Sequence, residues 1–229
     1  MHIITEQQIA EVLDPEIAFF AVQDVFASME SAAWNFPVVR ESLGHQDALY
    51  GFKSGFDPAS GALGLKAGGY WPNNASNGIA NHQSSIFLFD AESGQCSSLL
   101  AGNTITALRT AAAAAVSIDR LSVTDPGTLG LLGTGHQSVF QLEAALRVRS
   151  FDEVMIWNRS GRELQKHLAM AEYYGVRCRE GQLEEVVRES QVIITITSCF
   201  EPLFPSPWVN GGTHIAAMGT DTKGKQELD

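Results

Sequence analysis

The feature that most limits what this chain can fold into is the string Gly133-Thr134-Gly135-His136-Gln137-Ser138, set directly behind the apolar run 129–132. A short apolar strand that ends on Gly-x-Gly and opens into a helix has few uses. The first glycine permits a tight turn, and the second lets a bulky ligand approach the backbone. The third position needs a small residue so that helix and strand can pack closely. Ser138 departs from glycine there but meets the size requirement. The start of the following helix adds unpaired N–H groups and a positive dipole end, which suit the pyrophosphate of a dinucleotide. Taken alone, Gly-x-Gly also fits any glycine-rich turn, so the surrounding pattern has to decide.

That pattern alternates. Apolar runs at 129–132, 154–157, 192–197 and 214–218 read as strands, and 176–179 as a further short one. Helical spacing fills 138–147, 162–174 and 183–189 between them. Strands alternating with helices predict a parallel sheet covered on both faces, the doubly wound α/β class. The first half reads differently. A first helix is announced twice, by a capping box between Thr5 and Gln8 and by Asp14-Pro15, and Ala18, Phe19, Val22, Val25, Phe26 and Met29 recur along one stripe. Strands are expected at 49–56 and 63–67 around the turn 57–61, and a second hairpin at 85–89 and 95–100 around 91–94. A helix over 105–120 follows, whose five consecutive alanines suit close helix packing. Asp125-Pro126-Gly127 breaks the chain before the α/β pattern begins. The expected organisation is an α+β domain, 1–122, followed by a Rossmann-type domain, 123–229.

The net charge of −11 argues against a nucleic-acid surface, because phosphate binding needs a basic patch. The three cysteines, Cys96, Cys178 and Cys199, are widely spaced and suggest neither a disulfide framework nor a metal site. His82 and His214 fit no metal-ligand pattern either. His82 reads as a hydrogen-bonding strand residue near the site, and His214 as structural. The start lacks the basic and apolar regions of a signal peptide, and the longest apolar run, 111–118, is well short of the ~20 residues that span a bilayer. A cytoplasmic protein without a membrane partner is expected. An acidic chain can still bind an anion where a few cations converge, and Arg40, Lys53 and Lys66 occupy strand or strand-edge positions of the first domain. Arginine offers a bidentate carboxylate clamp; lysine offers a movable charge and a proton. A solvated strand residue remains the alternative for Lys53.

Where an NAD site usually carries an acid, at the end of its second strand, this chain has Asn158-Arg159-Ser160 with Arg162 close behind. An amide, a guanidinium and a hydroxyl suit the 2′-phosphate of NADP, which the reading favours. The alternative is that Arg159 stacks on the adenine and leaves NAD usable.

The block from Asn103-Thr104 through Thr106-Ala107-Leu108-Arg109-Thr110-Ala111-Ala112, the glycine string and Ile156-Trp157-Asn158-Arg159-Ser160 resemble the ornithine cyclodeaminase/mu-crystallin family. Gly219-Thr220-Asp221-Thr222-Lys223-Gly224-Lys225-Gln226-Glu227-Leu228 is similar to the family's late signature. The resemblance implies a nicotinamide-dependent enzyme acting on an amino acid or its imine, paired as a homodimer through the first domain. Tyr50 to Gly55, Leu65 to Pro72 and Asn81 to Ser84 resemble members that reduce iminosuccinate to aspartate, which becomes the favoured case. By the same resemblance Arg40 and Lys66 bind substrate carboxylate, and Lys66 is the candidate acid/base. Asp221 matches the cyclodeaminases' catalytic aspartate. Arg109 and Thr110 match positions near the pyrophosphate. Ser85, Thr197, Ser198 and Gly219 complete the expected cofactor contacts. The family leaves two other readings open, cyclodeamination with bound NAD and a non-catalytic, crystallin-like NADPH carrier. Its members also continue past the counterpart of Asp229, so a C-terminally truncated Rossmann domain is expected.

Overall fold

The computed structural model describes residues 1–29, 34–159, 161, 164–220 and 224–229. They group into two compact units, Met1–Arg109 and Thr110–Asp229, whose division falls inside one long helix, Asn103–Leu121.

In the first unit the expected single helix is two. Thr5 caps α1 (Glu6–Val12) through a capping box with Gln8, and Asp14 caps α2 (Pro15–Ser28) by accepting from the Ile17 N–H at 2.8 Å. The chain cannot run straight through, because Pro15 has no N–H to give and restricts the residue before it. Leu13 and Asp14 are accordingly extended. Around them stand β1 (His2–Ile4), β2 (Trp34–Asn35), β3 (Val39–Ser42), β4 (Leu49–Asp57), β5 (Ala62–Tyr70), β6 (His82–Phe89) and β7 (Cys96–Ala101). Among the described residues they form one sheet in the order β1-β7-β6-β5-β4-β2, with β3 also pairing β4. The pairs are antiparallel except β1 with β7.

The second unit begins within the long helix, α3 (Asn103–Leu121). It continues through β8 (Thr128–Leu132), α4 (Ser138–Val148), β9 (Glu153–Trp157), α5 (Gln165–Tyr173), β10 (Arg177–Glu180), α6 (Leu183–Glu189), β11 (Val192–Thr195) and β12 (His214–Ala217). The sheet runs β10-β9-β8-β11-β12 with every pair parallel. Side chains alternate between its faces. Leu129, Leu131, Val154, Ile156, Val192 and Ile194 pack beneath Ala114 and Ile118 of α3 and Leu142 and Ala145 of α4. Leu132, Met155 and Ile193 turn the other way, onto Val186 and Val187 of α6 and Phe204. Both faces are buried, which explains why these strands read as continuous apolar runs. The alanine run is packing surface: Ala111, Ala112, Ala114 and Ala115 are all buried. Among the described residues no helix is long and apolar enough to cross a membrane, and no three metal-ligating side chains converge.

Candidate functional site

The first unit carries its cations on one face of its sheet. Register pairs Lys53 with Lys66 across β4 and β5, and Arg40 with Gly51 across β3 and β4. Paired residues share a face, as do residues two apart, so Arg40, Lys53 and Lys66 all project from the same side. Like charges directly opposite are unfavourable in a sheet, so this placement serves something other than the sheet's own stability.

Helix α3 closes over one end of that face. Lys66 Nζ donates to Thr106 Oγ1 at 3.1 Å, and Thr106 Oγ1 lies 3.3 Å from Ser84 Oγ. The Ser84 N–H donates to Asn103 Oδ1 at 2.9 Å. The helix N-terminus is fixed from α1, where Glu6 accepts from the N–H groups of Asn103 at 2.7 Å and Thr104 at 3.0 Å. Partial burial pushes the Glu6 carboxyl up. The Thr104 side-chain bond and the two backbone bonds outweigh it and hold its pKa below the usual value. A carboxylate is well placed at the positive end of a helix. Arg109 and Thr110 sit three and four residues beyond Thr106, on the same helix face. Ser85 pairs with Ala67 and lies on the opposite side of the sheet from Lys66. The structure does not bring it together with the cations; Ser84 takes that position.

In the second unit the glycine string occupies the carboxyl end of β8. Strand order reverses there, with β9 on one side and β11 on the other, which is where open parallel sheets bind ligands. Gly133 has φ +110°, a region that side chains avoid, and a Cβ on it would stand 2.8 Å from the Ile196 carbonyl. Around Gly135 the corresponding space is open, with nothing among the described residues within 4 Å. One glycine is therefore fixed by sterics, and the other leaves room for a ligand. The turn fits a dinucleotide pyrophosphate. Ser138 is fully buried; its hydroxyl donates to the Gly135 carbonyl at 2.6 Å and lies 2.7 Å from His167 Nε2. The His136 ring meets Phe140 edge-on.

At the end of β9, Asn158 Nδ2 donates to Glu180 Oε1 at 3.4 Å, and Arg159 Nη1 lies 3.9 Å from Cys199 Sγ. Ser160, Arg162 and Asp221 lie outside the described residues. Thr197, Ser198 and Gly219 follow β11 and β12, and Thr197 and Gly219 share an anchor that sequence reasoning missed. The buried Glu227 carboxylate accepts from Thr195 Oγ1 at 2.8 Å, the Thr197 N–H at 2.7 Å, Thr197 Oγ1 at 2.6 Å and the Gly219 N–H at 2.8 Å. A Cβ on Gly219 would stand 2.5 Å from the Thr197 carbonyl oxygen as well as 2.4 Å from Glu227 Oε1, so a glycine is required there. Pulling Thr197 toward Glu227 also explains why β11 stops at Thr195, short of its expected end.

A glycine turn at the reversal point of a parallel sheet, preceded by a unit with a cationic sheet face, defines a Rossmann-type protein of the dinucleotide-dependent class. The model of the ornithine cyclodeaminase/mu-crystallin family matches residues 55–229, and the chain belongs to that family. It is 52% identical to the iminosuccinate reductase of Paracoccus denitrificans over 230 residues, covering 100% of this chain and 72% of that protein. The solved structure of that enzyme, a complex with NAD⁺, superposes with a TM-score of 0.92 over 100% of this chain and 71% of the other. The ketimine reductase mu-crystallin of Rattus norvegicus is 32% identical over 179 residues, covering 78% of this chain and 56% of its own length. An archaeal alanine dehydrogenase dimer with bound NAD is 28% identical with a TM-score of 0.93, over 100% of this chain and 70% of its own.

Proposed function

We propose that this chain reduces an α-imino acid to an amino acid with NAD(P)H, the favoured case being iminosuccinate to aspartate. The observation that carries the reading is the cationic sheet face, with Arg40, Lys53 and Lys66 together in a chain of net charge −11. Two carboxylates on the substrate match several cations, and the 52% identity to an iminosuccinate reductase supports the same substrate. When bound, the dinucleotide supplies a hydride to the imine carbon and is left oxidised. The electron pair of the C=N bond moves to nitrogen, where Lys66 delivers the proton. Arg40, with Lys53, holds carboxylate. Asp221 is the second candidate for proton transfer, by its match to the family's aspartate.

The finer cofactor reading, NADP(H) over NAD(H), is supported by Asn158 and Arg159 standing where an acid would bind ribose hydroxyls. The Glu180 carboxylate beside Asn158 weighs against it, as does the NAD⁺ in the Paracoccus complex. We place the enzyme in the cytoplasm on its free cysteines, and as a homodimer on the archaeal dimer and the exposed apolar residues of the first unit.

With oxaloacetate plus ammonia, which supply the imine, steady consumption of NADH or NADPH is expected. Ammonia release from a diamino acid without net cofactor change would assign cyclodeamination instead. Dinucleotide binding with turnover on neither would assign a crystallin-like carrier.

A further inference from the structure

We propose that His167 is a positioning residue for the dinucleotide turn, acting through Ser138. The inference rests on the dinucleotide reading and extends it to a residue outside the glycine string. Ser138 has one hydroxyl hydrogen, and the 2.6 Å bond to the Gly135 carbonyl uses it. Its oxygen is left to accept, so His167 Nε2, 2.7 Å away, carries the hydrogen of that second bond. Both side chains are buried, so no water competes for either bond. Among the described residues His167 Nδ1 has no hydrogen-bond partner, so it is the ring nitrogen left without a hydrogen in this tautomer.

The consequence reaches the ligand side of the turn. A trans peptide points its C=O and N–H in opposite directions. The Gly135 carbonyl is held toward the helix by the Ser138 N–H at 3.1 Å and by the Ser138 hydroxyl. The next N–H, that of His136, is therefore aimed out of the helix, as an anion-binding turn requires. His167 fixes the Ser138 rotamer, Ser138 fixes the Gly135 peptide, and the peptide presents the donor. This also explains why a serine stands where the dinucleotide string normally has a glycine: it is small enough for the packing and adds a hydroxyl that α5 can hold from outside the turn.

The test is NADH and NADPH affinity, read by fluorescence titration, beside thermal melts of each variant. His167→Leu should weaken binding about tenfold, the effect of losing one buried hydrogen bond. His167→Gln places an amide N–H near the Nε2 position and should restore affinity to within about threefold. Ser138→Ala should match His167→Leu, and the double variant should lose little more, because the two act in series. Kinetically, KM for the dinucleotide should rise while kcat at saturation stays near that of the unsubstituted chain. Ser138→Ala is the mildest change and decides the matter even where His167→Leu does not fold. Unchanged affinity in Ser138→Ala, or strictly additive losses in the double variant, overturns this inference alone. An unsubstituted chain that binds neither dinucleotide overturns both this inference and the proposed function.

Discussion

A guanidinium clamps a carboxylate through two parallel N–H bonds, whereas an ammonium is a point charge that can also surrender its proton. Arg40 and Lys66 share a sheet face, so substitution should separate these tasks. Arg40→Lys keeps the charge but loses the fork, and should raise KM for the imino acid about tenfold with a smaller effect on kcat. Lys66→Met should lower kcat by about 10²–10⁴ and leave dinucleotide affinity intact; wild-type turnover at saturating substrate would reduce Lys66 to a carboxylate anchor. Arg159→Ala addresses the cofactor. If the guanidinium binds a 2′-phosphate, KM for NADPH should rise about ten- to a hundredfold more than KM for NADH. Equal effects on both would remove the NADP preference. Two histidines give a pH prediction. Burial, followed by the neighbouring Lys166 charge, lowers the pKa of His167 from 6.5, and burial alone lowers that of His214, whose Nε2 lies 3.1 Å from Ser117 Oγ. The unfolded chain then takes up these protons first, so stability is fully present above about pH 6.5 and is lost as pH falls through the folded values. Melting temperature should decline as the pH drops below about 6.5, and His214→Asn should flatten part of that decline.

The link between β11 and β12 beyond their carboxyl ends depends on a carboxylate that only an acid of this length supplies. Each Glu227 oxygen accepts one fixed backbone N–H and one hydroxyl: Thr197 on Oε1, and Gly219 with Thr195 on Oε2. Hydroxyls can turn, but backbone N–H groups cannot. Whichever way Glu227→Gln places its amide, an NH₂ faces a backbone donor. That variant should be destabilised by about 2–4 kcal/mol in urea unfolding, against about 1 kcal/mol for Thr195→Val. Similar values for the two would show that the backbone donors find other partners. This clasp was not legible in the sequence, because its partners lie 8 to 32 residues from Glu227 and no local pattern joins them. The α/β half was legible for the opposite reason. Its central strands β8, β9 and β11 are buried on both faces and its helices are amphipathic, so period and breakers mark them, and α6 falls on the expected residues. The caps at Thr5 and Asp14 were equally local, although two caps meant two helices. Strands β1 and β2 are too short to display a period of two; only pairing with β7 and β4 makes them strands. Of the candidate site, Arg40, Lys53 and Lys66 could be named as candidates from residue type and resemblance, but their common face follows from sheet register. Ser84 and Thr106 emerge only once that register brings α3 over Lys66.

At the scale of the whole molecule, the two faces of the first unit's sheet differ in kind. One carries Arg40, Lys53 and Lys66. Val39, Tyr50 and Phe52 alternate with these residues and project from the other, at 40%, 40% and 42% exposure. Trp34 on the edge strand β2 is 61% exposed and Val38, beside β3, 58%. Apolar side chains gathered on one sheet face cost hydration free energy of about 25 cal/mol per Å² while they stay wet, and a second copy of the same face removes that cost symmetrically. Sedimentation at micromolar concentration should therefore give a dimer. Phe52→Glu, which buries a carboxylate opposite its own copy or near it, should shift the chain toward monomer. Because Phe52 points away from the cations and the dinucleotide turn belongs to the other unit, NADH affinity of the variant should change less than about twofold. A dimer that withstands Phe52→Glu would move the interface to another surface, and a monomeric unsubstituted chain would remove the homodimer from the proposed function while leaving the imine chemistry standing.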